Sequence, residues 1–258
     1  MLIGEPPPSS ADLHFRILGF PVRVHPFFWV VMLFWGLSGG DGEPRFTLTW
    51  VAIAFISILI HELGHAILQR RFGGEPRIVL YSFGGLAICD DCNRSPGPQI
   101  AISLAGPFAG FAFAGLVALA VRASGHEIGF ALGNADAEGF IPIPALIGSI
   151  LVAPFASAPL NLVVVVLLWI NIWWGILNLL PIYPLDGGRV ARELCTLRGD
   201  TRHGIAVSLW ISIVTAAAVA AYALAQGDTF MLIFFALMAY SNYQALQNYR
   251  QRGYDQGW

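Results

Sequence analysis

The sequence predicts an all-α polytopic membrane protein of about six transmembrane helices, and three observations carry that expectation. Hydrophobic residues make up 56% of the 258-residue chain and charged residues only 12%, far more apolar than a soluble domain of ordinary composition. Apolar runs long enough for a bilayer core of about 30 Å recur along the chain. The few charges are sorted, with arginines gathered in alternate connections. With no lysine and a formal net charge of -2, the chain has no basic stripe of the kind nucleic-acid binding needs. Three cysteines are too few for a secreted disulfide framework, and the chain opens on a polar, Pro-rich stretch rather than on a cleavable signal.

The apolar segments run, in order, over residues 26 to 39, 47 to 70, 99 to 122, 158 to 180, 204 to 225 and 229 to 248. The first is short and is expected to border the membrane obliquely. An even count puts both termini on one side, and the arginines choose that side. Twelve of the 14 lie at Arg16 and Arg23, at Arg70, Arg71, Arg77 and Arg94, at Arg189, Arg192, Arg198 and Arg202, and at Arg250 and Arg252. Those four regions, and both termini, are expected in the cytoplasm. The opposite connections hold only Arg45 and Arg122, beside Asp41, Glu43, Glu127, Asp136, Glu138 and Asp228.

Residues 123 to 157 form the one ambiguous connection, because Phe140 to Phe155 is apolar but broken by Pro142, Pro144 and Pro154. A spanning segment there would put the Arg189 to Arg202 region outside, so an interfacial or re-entrant element on the outer side is expected. No internal repeat, linker or long polar block stands out. A single membrane domain over 1 to 258, with no soluble accessory domain, is the expected organisation.

The second segment carries His61-Glu62-Leu63-Gly64-His65 inside the apolar stretch Val51 to Leu68. Three ionisable side chains in a spanning helix cost on the order of 5 to 10 kcal/mol together unless something compensates. Positions i and i+4 share a helical face, so both histidines can present a ring nitrogen to one metal ion. Glu62 beside them can accept a proton from water rather than ligate, the arrangement of a hydrolytic zinc site. The plainer reading is a pair of histidines that hydrogen-bond to neighbouring helices.

Zinc catalysis needs a third protein ligand and an open fourth position. Glu62 and Asp186 are the acids close to apolar segments, and His14, His25, His126 and His203 lie at segment ends or outside them. Asp186 is therefore the candidate by elimination. Its setting, Asn178 to Arg189, ends the fourth segment with Pro181 and Pro184, which break a helix, and Gly187 and Gly188, which permit a tight turn. Such backbone is tolerated at membrane depth only beside protein or a water-filled cavity, and the alternative is a plain helix stop with a solvated Asp186. Both motifs fall in the cytoplasmic half of the membrane. Asn171 and Asn178, seven apart, share a helical face that either looks at the site or hydrogen-bonds to neighbouring helices. Cys89 and Cys92 form one Cys-x-x-Cys pair without a second, so a separate zinc or redox site has only two ligands to rest on.

These residues resemble the site-2 protease family of intramembrane zinc metalloproteases. The resemblance rests on His61 to His65, on Asn178 to Gly188 as an Asn-x-x-Pro-x-x-Pro-Leu-Asp-Gly stretch, and on Ser103-Leu104-Ala105-Gly106-Pro107 in the third segment. Gly19 to His25 also looks like the short strand and following His that open such proteins. The resemblance implies a three-helix catalytic core at about 47 to 190, one zinc ion on His61, His65 and Asp186, Glu62 as general base, and Asn178 near the scissile peptide. It further implies that Ile78 to Leu86 forms a short membrane-associated β-hairpin, whose Gly84 and Gly85 would bind an unwound substrate by strand addition. A simple loop is the other reading of that stretch. The chain departs from the family at Gly110, where many relatives carry Asn, and in lacking the soluble module that many possess. Gly106, Gly110 and Ala114 recur every four residues and read first as close helix packing.

The expected activity is hydrolysis of a peptide bond within or near a transmembrane segment of a membrane-protein substrate, as in regulated intramembrane proteolysis, by an integral protein of the cell membrane. The rival is a non-proteolytic zinc-binding scaffold or a metal carrier. A carrier calls for acidic or His residues along more than one helix, whereas here they converge on one place.

Overall fold

Proline and glycine mark where most of the helices begin and end. In the computed structural model, which describes residues 5–39, 43–82, 84–133, 138–197 and 200–255, strands β1 (Leu13–Ile17) and β2 (Phe20–Val24) come first. Helix α1 (Pro26–Gly39) opens on Pro26, and His25 Nδ1 accepts from the Phe27 N–H at 3.2 Å, so a missing donor and a capped one share the first turn. Helix α2 (Pro44–Arg71) also opens on proline. It ends with Arg70 and Arg71 at the negative end of its dipole and with Gly73 at φ 91°. Strands β3 (Arg77–Tyr81) and β4 (Gly84–Ile88) precede α3 (Pro96–Ala123), and β5 (Ile128–Leu132), β6 (Ile141–Pro144) and β7 (Gly148–Val152) precede α4 (Ala158–Asn178). Helices α5 (Asp186–Thr196), α6 (Thr201–Gln226) and α7 (Thr229–Asp255) complete the chain. Asp200 caps α6 by accepting from the Arg202 N–H at 3.0 Å, and Gly227 at φ 75° terminates it.

Among the described residues, five helices are long and apolar enough to cross a membrane: α2, α3, α4, α6 and α7. Helix α1, the segment expected to run obliquely, has 14 residues, about 21 Å at 1.5 Å per residue and short of a full span. The arginine-bearing stretch after Asp186, expected as a connection, folds as α5, with Asp186 in its first turn where the dipole favours a carboxylate. Asp41, Phe83, Asp136, Arg198 and the side chain of Arg252, on which parts of the reading above fall, lie outside the described residues.

Two compact units make up the chain, one of residues 1–92 and 105–176 and the other of residues 93–104 and 177–258. The first holds a four-stranded sheet in the order β1-β2-β3-β4. β2 and β3 pair in parallel, with α1 and α2 as the crossover, while β1 with β2 and β3 with β4 pair antiparallel. The sheet's buried side chains, Phe20, Val22, Val24, Ile78 and Leu80, pack with Phe28 and Met32 of α1 and with Ile58, Leu63 and Ala66 of α2. The expected hairpin is thus β3 and β4, and it belongs to a larger sheet.

Residues 123 to 157 contain a three-stranded antiparallel sheet in the order β5-β7-β6. Pro142 and Pro144 lie on the edge strand β6, where a residue without an N–H costs no ladder bond on the open side. Ile143 and Val152 of this sheet are buried with Ala114 and Val121 of α3 and Leu168 of α4, and Trp173 Nε1 donates to the Pro144 carbonyl at 2.9 Å. Two of the prolines that break a spanning segment, Pro142 and Pro144, are accommodated here as sheet.

In the second unit Ile182, Ala216, Ala220 and Phe235 form the core, with Leu180 and Leu185 of the irregular stretch packed against it. That stretch is held by two side chains from apolar helices. Ser212 Oγ of α6 accepts from the Tyr183 N–H at 2.9 Å, and Asn242 Nδ2 of α7 donates to the Tyr183 carbonyl at 2.6 Å.

Candidate active site

Helix α2 buries the polar residues that its sequence places among apolar ones: His61, Glu62 and His65 are 3%, 4% and 4% exposed. One turn apart, the two imidazoles bring their Nε2 atoms to 3.1 Å, with the ring planes at 78°. Zinc–nitrogen bonds of about 2.0–2.1 Å at a tetrahedral angle put two nitrogens about 3.4 Å apart, so the pair fits such an ion.

The space beside the pair is kept open by glycine. A β-carbon at Gly106 of α3 would lie 2.7 Å from His61 Nε2 and still nearer to His65 Nε2. The helices can approach this closely because Gly64 of α2 rests on Ala105 and Ala109; a β-carbon there would meet Ala109 Cβ at 2.8 Å. Of the small residues at 106, 110 and 114, only the last two serve packing, Gly110 against the Asn171 backbone and Ala114 in the core with α4. Gly106 faces the histidines.

Glu62 is covered by β4. A β-carbon at Gly85 would lie 2.6 Å from the Glu62 carboxyl carbon and 2.7 Å from Oε1, and one at Gly84 would lie 3.2 Å from the indole of Trp174. The Trp174 ring in turn stands edge-on to His61, centroids 6.5 Å apart. β4 pairs with β3 alone, so its other edge has no strand partner among the described residues. Gln69, two turns after Glu62 and 8% exposed, donates to the Ala87 carbonyl of β4 at 3.0 Å. Asn171 donates to Ser57 Oγ at 2.9 Å and to the Leu167 carbonyl at 2.8 Å, which settles it as an interhelical link between α4 and α2.

In the other unit Asp186 opens α5 and is 5% exposed, while Asn178 ends α4 and is 8% exposed. Gly187 and Gly188 lie against the backbone of Leu179 and Ile182, where a β-carbon would overlap carbonyl atoms. Within the first unit His61 and His65 bring two ring nitrogens within reach of one ion, and another cluster of possible ligands among the described residues is Cys89, Asp91 and Cys92.

Trp174, Gln69, Ser212 and Asn242 were not singled out from sequence. The polar ones carried a signal all the same, since each interrupts an apolar helix, and Ser208 and Ser212 recur on one face.

The sequence matches the family model described as peptidase family M50 over residues 49–221. A zinc metalloprotease of Methanocaldococcus jannaschii is 26% identical over 182 residues, 70% of this chain and 44% of that protein. Rip3 of Mycobacterium tuberculosis is 30% identical over 226 residues, 81% of this chain and 49% of that protein. The chain thus spans about half the length of the curated relatives it matches. In fold it is similar to the solved site-2 protease from M. jannaschii, with a TM-score of 0.56 and 20% identity over 91% of this chain and 95% of that one. With five long apolar helices in that fold, this is an integral membrane protein, and the chain belongs to peptidase family M50.

Proposed function

We propose that the protein is an intramembrane zinc metalloprotease that hydrolyses a peptide bond within or near a transmembrane segment of a membrane-protein substrate. The observation that carries this reading is the buried histidine pair of α2, with Nε2 atoms 3.1 Å apart, facing Gly106 and with Glu62 beside it. The names of its relatives support it.

In this reading His61, His65 and Asp186 hold one zinc ion. When bound, zinc supplies Lewis acidity, polarising the scissile carbonyl and acidifying water. Glu62 is the general base: its carboxylate takes a proton from the attacking water and passes it to the departing amine. Its burial under β4 keeps bulk water from competing for that proton. The free edge of β4, with Gly84 and Gly85 offering backbone rather than side chains, receives an unwound substrate as an added strand. Asn178 contacts the peptide near the cut. A helical peptide bond is already hydrogen-bonded and shielded, so segments with helix-weakening Gly, Pro or Asn near the cut are preferred.

Residues 1 to 258 act in this reading as one membrane-embedded proteolytic domain of the cell membrane. The site and the arginine-rich connections lie toward the cytoplasm, on the strength of the arginine distribution. The test pairs wild type with Glu62→Gln in liposomes, measuring bound zinc and cleavage of a membrane-spanning peptide. Wild type is expected to bind one zinc and cleave, and the variant to bind zinc without cleaving. Cleavage by both overturns the role of Glu62. Zinc bound without cleavage of any of a broad peptide panel favours a scaffold, and metal flux favours a carrier.

A further inference from the structure

Cys89 and Cys92, which the proteolytic reading does not use, are joined by a disulfide immediately after β4. Both are half-buried between exposed Asp90, Asp91, Asn93 and Arg94, so small oxidants and thiols can reach them. The bonded pair sits on the end of α2. A β-carbon at Gly74 would overlap both sulfurs, Cys92 Sγ lies 3.8 Å from the Gln69 carbonyl, and the Glu75 N–H donates to Asp91 at 3.0 Å. From there Gln69 reaches across to the Ala87 carbonyl, two residues from the Gly85 that covers Glu62.

We infer that Cys89 and Cys92 are a reversible thiol–disulfide site that clasps β4 to the end of α2. Oxidation removes two protons and two electrons from the thiols and forms one S–S bond. Hydrogen peroxide takes them up to give two waters, or a low-molecular-weight disulfide takes them up to give two thiols. The arginine pattern puts this loop on the reducing side of the membrane, where a vicinal pair is held as dithiol and a bonded one acts as a sensor rather than a staple. In the oxidised form the chain leaving β4 is tied down and the edge strand is presented in one place. In the reduced form that exit is free, and β4 is held by β3, by the Gln69 bond and by its packing on Glu62 and Trp174. The effect on cleavage rests on the proteolytic reading above; the chemistry of the pair does not.

The test equilibrates the full chain in lipid nanodiscs against graded ratios of reduced to oxidised glutathione. Labelling of denatured protein with a maleimide then counts thiols. Oxidised protein is expected to label at Cys195 alone and reduced protein at all three cysteines, with a reversible transition between. Reduction is expected to raise hydrogen exchange of Leu86 to Ile88 about tenfold, the effect of releasing a short cross-linked loop. It is also expected to raise KM for a membrane-spanning peptide with kcat little changed. The double variant C89S/C92S should exchange like reduced protein at every ratio. Three thiols labelled at all ratios, a pair that glutathione cannot reduce, or equal exchange in both states overturns the inference. So does a second zinc equivalent bound by the reduced pair and lost in the double variant. If labelling and exchange behave as expected while neither state cleaves, the proteolytic reading fails and the clasp stands.

Discussion

Gly85 of β4 and Glu62 of α2 share a contact that only glycine permits, since a β-carbon at 85 would lie 2.7 Å from Glu62 Oε1. The strand comes to rest directly on the proposed base. Gly85→Ala should therefore displace either the carboxylate or β4 while leaving the histidine pair untouched. Cleavage is expected to fall about 100-fold, the usual effect of a misplacement near 1 Å, with zinc stoichiometry unchanged. Zinc content and initial rates on one preparation check this, and full activity in the variant would remove β4 from the site.

Gly106 stands to the histidines as Gly85 stands to Glu62. An alanine there would bring its methyl group 2.7 Å from His61 Nε2, into the space where the proposed ion sits. Gly106→Ala is expected to weaken zinc affinity by about 10- to 100-fold, the range for perturbing groups around a metal. Titration with a competing zinc indicator measures the loss, and excess zinc should restore part of the activity. Ordinary affinity in the variant would separate Gly106 from the metal site.

Asn242 and Ser212 hold the irregular stretch before Asp186 through the two backbone groups of Tyr183, at 2.6 and 2.9 Å. Asn242→Ala leaves the Tyr183 carbonyl without that donor in a setting where Asn242 is 2% exposed. A loss of about 1–3 kcal/mol in stability is expected, seen as a lower unfolding midpoint of the purified protein. Ser212→Ala should act on the same element, so the double variant is expected to lose less than the sum of the two.

Acid should loosen the first sheet from its N-terminal side. Arg23 bridges Glu5 and Asp12, each at 3.0 Å, and Arg77 bridges Glu5 at 2.9 Å and Asp90 at 2.7 Å. The Arg77 hydrogen bond holds the Glu5 carboxyl below its ordinary value. The Ser9 N–H, followed by Arg23, does the same for Asp12. A lowered native pKa means that the folded form binds protons less readily than the unfolded one. The stabilisation is thus fully present above the ordinary carboxylate range and is lost as pH falls through the lower native values. Hydrogen exchange in β1 and β2, corrected for its intrinsic pH dependence, is expected to be flat from pH 7 to about 5 and to rise below about 4. Glu5→Gln should raise exchange at neutral pH and flatten the acid response.

Much of this protein follows from one-dimensional pattern. The apolar runs, the prolines at 26, 44 and 96 and the glycines at 73 and 227 set helix positions to within a few residues, because a helix in lipid must satisfy its own backbone and so announces its length. His61, Glu62 and His65 stood out because ionisable groups in such a run need compensation. Tertiary structure alone decided that the connection between α3 and α4 carries a three-stranded sheet, that Asn171 ties α4 to α2, that Gly106 faces the histidines instead of only packing, and that Gly85 lies on Glu62. The physical reason is common to these cases. A glycine or a buried amide has no periodicity of its own, and its role is set by which neighbouring backbone or side chain comes within contact distance once the elements have packed.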